Sequence, residues 1–180
     1  MFSNRTALLV IDVQNLLVGE GPFDGLAFLL RLQSLIGACR QGGVEVIYVR
    51  HDDGPGTNLS RGEPGWEIHP DVAPIPGERI FDKKFNSAFH KTDLRSYLVS
   101  RDVQSLILVG MQTEYCIDAT LKSAFDWEYR IIVPEGTNTT VDNDGLSGAE
   151  IVDFFQNRIW NRRFAEVLPW EDVLRAIESR

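Results

Sequence analysis

Ser105-Leu106-Ile107-Leu108-Val109-Gly110-Met111-Gln112-Thr113-Glu114-Tyr115-Cys116-Ile117 is the stretch that decides how this chain folds. After Ser105, Leu106 to Val109 are a short apolar run, as expected of a strand buried on both faces of a parallel sheet. Gly110 allows a tight turn and Thr113 is placed to cap a helix. Ile117, Leu121, Ala124 and Phe125 then recur at helical spacing as far as Trp127. Strand, turn and helix in that order make one β–α unit, and the same alternation extends both ways. Upstream, Ala7-Leu8-Leu9-Val10-Ile11 is a second buried strand. Leu26 to Cys39 is a helix on Leu26, Leu29, Leu30, Leu32, Leu35 and Ile36, stopped by Gly42-Gly43. Val44 to Val49 is the next strand. Arg79 to Asp82 reads as a short strand and Thr92 to Ser100 as a helix. Downstream, Arg130 to Val133 is a strand, Gly148 to Trp160 a helix, Phe164 to Val167 a strand and Glu171 to Ile177 a closing helix.

Repeated β–α units with continuous apolar strands predict an α/β fold. It is a single-domain, Rossmann-like three-layer sandwich over residues 1–180, with a mostly parallel sheet of about six strands and helices on both faces. Right-handed crossovers bring the carboxyl ends of the strands to one edge, where ligands bind. Residues 51–78 hold five glycines and five prolines and read as a long loop beside that edge.

Composition narrows the function. Of 180 residues, 43% are hydrophobic and 24% charged, which suits a globular domain. Net charge is −8, with acidic residues in excess in both halves, so no basic face awaits a nucleic-acid backbone. No apolar run approaches membrane-spanning length. Met1 to Arg5 lead into the first strand without a signal-peptide pattern, so a cytoplasmic protein is expected. Two cysteines and three histidines are too few for a disulfide scaffold or a Cys-rich zinc site. Gly19, Gly21 and Gly25 imitate a dinucleotide fingerprint, but they start eight residues past the strand.

Four residues at the predicted strand ends carry the chemistry. Asp12, at the end of an apolar strand, reads as a general base or as a loop-capping carboxylate. Lys83 or Lys84, after the short strand, reads as a partner for Asp12 or as a solvated charge. Cys116, three residues past the cap, sits where free N–H groups lower a thiol pKa; it reads as a nucleophile or as a buried structural cysteine. His51 closes the second strand and either lines the site or satisfies loop backbone. Cys39, among the apolar residues of the first long helix, is read as structural, and His69 and His90 lie on loops.

Together these segments resemble the isochorismatase-like cysteine hydrolase superfamily, which includes nicotinamidases, N-carbamoylsarcosine amidases and isochorismatases. The resemblance spans Thr6 to Val167. It rests on Leu8 to Asn15, on Lys83 before Asn86-Ser87-Ala88-Phe89 and Thr92-Asp93-Leu94, and on Gly110 to Ile117. It implies a triad of Asp12, Lys83 and Cys116; Lys83, four residues before Ser87, fits the family spacing better than Lys84. It also implies a cis peptide between Met111 and Gln112, with the Gln112 and Cys116 N–H groups forming an oxyanion hole. The implied substrate is a small molecule, its pocket lined by Gln14, His51, Trp66, Phe89 and Tyr115. Trp66 would be delivered by the long loop, with Gly54-Pro55-Gly56 and Gly65 as hinges. A homo-oligomer, dimer or tetramer, is implied as well.

Departures refine the expectation. Nicotinamidases carry Asp-x-His after the second strand; here the segment is His51-Asp52-Asp53-Gly54, which argues for no metal and no cofactor. Isochorismatases proper lack the cysteine. Cys116 therefore points to hydrolysis of a C–N bond (amide, imide or carbamoyl) through a thioester. The alternatives are an isochorismatase- or nicotinamidase-type hydrolase and a non-catalytic binding or assembly protein on the same scaffold. Asn138 stands where the family often has histidine, which leaves substrate contacts from that loop open.

Overall fold

In a computed structural model, residues 5–179 are described; Met1 to Asn4, on which the expectation about a leader falls, lie outside them. The strands are β1 (Thr6–Ile11), β2 (Glu45–His51), β3 (Arg79–Lys83), β4 (Ser105–Met111), β5 (Arg130–Pro134), β6 (Asn138–Thr139) and β7 (Glu166–Leu168). They form one seven-stranded sheet in the order β3-β2-β1-β4-β5-β7, with β6 paired to the end of β4, and every pairing is parallel. The strand order reverses between β1 and β4. In an open α/β sheet that switch point leaves a crevice outside the carboxyl ends of the strands.

The helices are α1 (Asn15–Gly19), α2 (Gly25–Gln41), α3 (Leu94–Ser100), α4 (Asp118–Asp126), α5 (Gly148–Asp153) and α6 (Trp170–Glu178). Because strand side chains alternate, the sheet feeds two cores. Leu8, Val10, Tyr48, Ile107, Val109 and Ile132 pack against Phe28, Leu32 and Leu35 of α2 and Val173 and Ile177 of α6. Leu9, Ile11, Ile47, Val49, Leu106 and Leu108 pack on the opposite face against Leu94 and Leu98 of α3, Leu121 and Ala124 of α4, and Trp160. All six β1 residues are buried, which explains its unbroken apolar run. Among the described residues, no helix is long and apolar enough to cross a membrane.

Several local expectations are corrected. In α2, Leu26 and Leu30 face solvent, and the buried stripe runs through Phe28, Leu29, Leu32, Leu35, Ile36 and Cys39. Gly110 does not make a turn. It lies within β4 at φ +126°, and a side chain there would place Cβ 2.0 Å from the Ile11 carbonyl oxygen. Glycine at 110 thus lets the two central strands approach closely. Thr113 does not cap; its hydroxyl donates to Asn138 Oδ1 at 3.1 Å. The helix after β4 begins as a π turn over Thr113–Ile117, where the Ile117 N–H reaches back five residues to the Gln112 carbonyl, and becomes regular only at α4. The helix after β6 likewise widens from α5 into a π turn over Phe154–Trp160. The last strand starts at Glu166, later than expected, because backbone bonds to the Trp160 carbonyl fold Arg163, Phe164 and Ala165 into a turn.

Candidate active site

Asp12 follows β1 with φ +53°, a left-handed conformation that a short polar side chain tolerates. Its N–H bonds to the Val49 carbonyl, which turns the carboxylate onto the sheet edge. Lys83 ends β3 opposite His51 in the register, and its side chain crosses the end of β2 toward β1 and β4. Cys116 lies in the π turn after β4. Asp12 and Cys116 therefore flank the switch point from its two strands, and Lys83 reaches them from the edge of the sheet.

The three side chains meet. Lys83 Nζ is 2.6 Å from Asp12 Oδ2 and 3.1 Å from Cys116 Sγ. Asp12 and Lys83 side chains are both 0% exposed. Among the described residues, Lys83 is the cation paired with the Asp12 carboxylate, so its charge balance depends on the ammonium. Strand alternation separates the two lysines: Lys84 points outward and pairs with Asp52 at 3.8 Å.

The electrostatics correct the expectation of an acidic thiol. Burial and the Asp12 carboxylate push the Cys116 thiol well above the ordinary range, and Lys83 only partly offsets them. Lys83 is held above its usual range: burial lowers it, but Asp12 and Cys116 outweigh that. The favoured resting state is carboxylate, ammonium and neutral thiol. Releasing the thiol proton to solvent would add a net charge to a buried site, whereas passing it to Asp12 would not. Iodoacetamide should therefore label Cys116 slowly near pH 7, with the rate still climbing beyond about pH 9. Peptide mass spectrometry across pH reads this, and a rate already at its plateau near pH 7 would contradict it. Cys39 is fully buried and should stay unlabelled in the native protein.

A cavity of about 190 Å³ opens on these residues, bounded by Asp12, Leu17, His51, Asp53, Leu59, Asn86, Gln112, Tyr115 and Cys116. The Met111–Gln112 peptide beside it is cis. Of the five residues assigned to the pocket, His51 and Tyr115 line it, and Gln14, Trp66 and Phe89 do not. Gln14 is fully buried: its amide donates to the His51 and Trp66 carbonyls at 3.0 and 2.8 Å and accepts from the His51 N–H at 2.8 Å. It ties strand end to loop and has no free polar group to offer. Trp66 is only 4% exposed and lies under the Arg50 guanidinium, 3.5 Å from the ring centre, so it anchors the loop.

Gly65 is no hinge, because a Cβ there would come 2.5 Å from the Asn58 carbonyl. Bonds from the Asn15 and Leu16 N–H groups to the Glu67 and Gly65 carbonyls pin this part of the loop down. Phe89 stacks on Tyr129 and borders a larger cavity of about 380 Å³ with Phe85, Ser87, His90, Ser123 and Trp127. In that cavity Ser87 donates to Ser123, which donates in turn to the Ala119 carbonyl, so neither hydroxyl is poised against a base. The smaller cavity is lined by Cys116 and Asp12, both in contact with the Lys83 ammonium. Asn86, Asp53, Leu17 and Leu59 were missing from the sequence-based pocket. They come from three separated loop and helix segments whose approach no local pattern encodes.

Comparison with known proteins agrees with this architecture. The isochorismatase domain profile matches residues 6–172. A streptothricin hydrolase from Streptomyces noursei is 32% identical over 76% of this chain, which spans only 50% of that relative's length. A ureidoacrylate amidohydrolase from Agrobacterium fabrum is 25% identical, covering 82% of each chain. The crystal structure of a cysteine hydrolase from Pseudomonas syringae pv. phaseolicola superposes with a TM-score of 0.90 at 29% identity, covering 99% of this chain and 95% of the other. The chain belongs to the isochorismatase family.

Proposed function

We propose that this protein is a cysteine amidohydrolase that cleaves a C–N bond of a small amide, imide or carbamoyl compound through a thioester. The observation that carries the reading is the contact of Lys83 with both Asp12 and Cys116 at the floor of a cavity. The relatives named as a streptothricin hydrolase and an amidohydrolase support the choice of bond. The cavity is smaller than sites that enclose drug-sized ligands, which favours a small substrate or one end of a larger one.

Asp12 takes the Cys116 proton while Lys83 stabilises the thiolate. Sulfur attacks the carbonyl carbon, and the Gln112 and Cys116 backbone N–H groups receive the oxyanion. Asp12 returns the proton to nitrogen as the C–N bond breaks and the amine or ammonia departs. Asp12 then takes a proton from water, and the resulting hydroxide attacks the thioester. The C–S bond breaks, Cys116 is reprotonated, and the carboxylic product leaves. Asp12 hands the Cys116 proton on to the leaving nitrogen and takes the next one from water, so the buried site keeps its net charge through both halves of the cycle.

The test is a panel of primary amides, ureido and carbamoyl compounds, imides and lactams, nicotinamide among them, assayed for ammonia or amine release. Quenched mass spectrometry of the Cys116 peptide runs alongside. An acyl adduct on Cys116 during turnover is expected. Turnover with isochorismate alone, or hydrolysis without any adduct, would refute the scheme.

A further inference from the structure

Lys83 has a third partner outside the triad. Its Nζ lies 2.9 Å from His51 Nδ1, and His51 Nε2 lies 2.8 Å from Asp53 Oδ1. An ammonium has three hydrogens, and here three acceptors surround it: Asp12 Oδ2, Cys116 Sγ and His51 Nδ1. Asp12, His51 and Cys116 bring their donor atoms within 4.8 Å of one another, a spacing that would suit a bound cation, and the Lys83 ammonium is in reach of all three. The imidazole must leave Nδ1 unprotonated to accept from Lys83, so its proton belongs on Nε2, where Asp53 accepts it. His51 is itself held: its backbone bonds on both sides to Gln14, and its side chain is only 13% exposed.

We propose that His51 and Asp53 form a positioning pair that aims the Lys83 ammonium at Asp12 and Cys116. Asp53 fixes the imidazole as the Nε2–H tautomer, and His51 Nδ1 then takes up the third ammonium hydrogen. Without that acceptor the ammonium would pivot and hold the thiolate less well. The charged or titratable groups around the ring are Lys83 from β3, Asp12 after β1, Cys116 after β4, and Asp52 and Asp53 on its own segment. The proposal rests on the functional reading above, in which Lys83 steadies the nucleophile.

Two arms test it, and the first needs no substrate. Long-range nitrogen–proton NMR of the imidazoles, with His51 assigned by its absence from His51→Asn, should show a neutral ring protonated at Nε2. Asp53→Ala should move it toward a tautomer mixture. A ring protonated at Nδ1 in the wild type, or one indifferent to Asp53→Ala, would overturn the proposal.

The second arm is kinetic, on whichever amide the panel identifies. His51→Ala should lower kcat by about 10- to 100-fold, the range seen when supporting partners of active-site groups are lost, with KM changed by less than about threefold. His51→Asn, which keeps an acceptor near the Nδ1 position, should recover most of kcat. Wild-type kcat in His51→Ala, or no rescue by asparagine in a folded variant, would overturn it. If the wild type turns over no amide at all, the functional reading fails, while the tautomer arm still decides the geometry of the pair.

Discussion

Cys116→Ala is expected to abolish amide turnover, by at least about 10⁴-fold or about 5 kcal/mol of barrier, while the melting temperature stays within a few degrees of wild type. The side chain is partly exposed at the cavity wall, so its removal opens little new space. Among the described residues the cavity lining holds one thiol and no hydroxyl other than the Tyr115 phenol, which accepts from Asn143. The loss should fall on kcat, because in the proposed mechanism sulfur forms the bond that defines the intermediate. Calorimetry and the ammonia assay on the same preparation measure both quantities. Retained turnover in a folded Cys116→Ala protein would remove the thioester from the mechanism.

Lys83→Met should be costly twice over, in activity and in stability. The substitution keeps length and removes charge, which leaves the fully buried Asp12 carboxylate without its counter-ion. Breaking a buried pair on one side costs about 3–5 kcal/mol. In a chain of this length that lowers the melting temperature by on the order of 10 °C. Adding Asp12→Asn removes the orphaned charge, so the double variant should regain much of the lost stability and none of the activity. Thermal melts of the single and double variants decide this; a double variant no more stable than Lys83→Met would show that packing, rather than charge, set the loss. The raised Lys83 pKa fixes the sign of the pH dependence. A lysine held above its unfolded value contributes fully below about pH 10 and loses that contribution only in more alkaline solution.

The layers of the fold were legible because a parallel strand buried on two faces writes itself as an unbroken apolar run. Ala7 to Ile11 and Leu106 to Val109 are such runs, and both are central strands. β6 was missed because two residues, Asn138 and Thr139, carry no period at all. The π turn at Thr113–Ile117 was missed because apolar spacing locates a helical face but not which carbonyl each N–H chooses. Leu26 and Leu30 misled for a related reason, since propensity places leucine in a helix without saying which side the sheet will cover.

The site divides along the same line. The residue types and their positions at strand ends belong to the sequence: Asp12 after an apolar strand, a lysine after the short strand, Cys116 beyond Gly110. Their electrostatics do not. A thiol at the start of a helical segment reads as acidic, yet its pKa depends on how much water the finished fold removes and on a carboxylate that is distant in sequence. Trp66 and Gln14 look like pocket residues beside the active edge, but each is consumed by contacts with partners far along the chain. His51 and Asp53 gain their place only through Lys83, which arrives from a strand 32 residues away. Sequence by itself determined which groups could do chemistry and which edge of the sheet would carry them. Only the tertiary structure decided which of them meet, which are buried and in what charge state they rest, because desolvation and three-body hydrogen bonding come into being when distant segments close on one another.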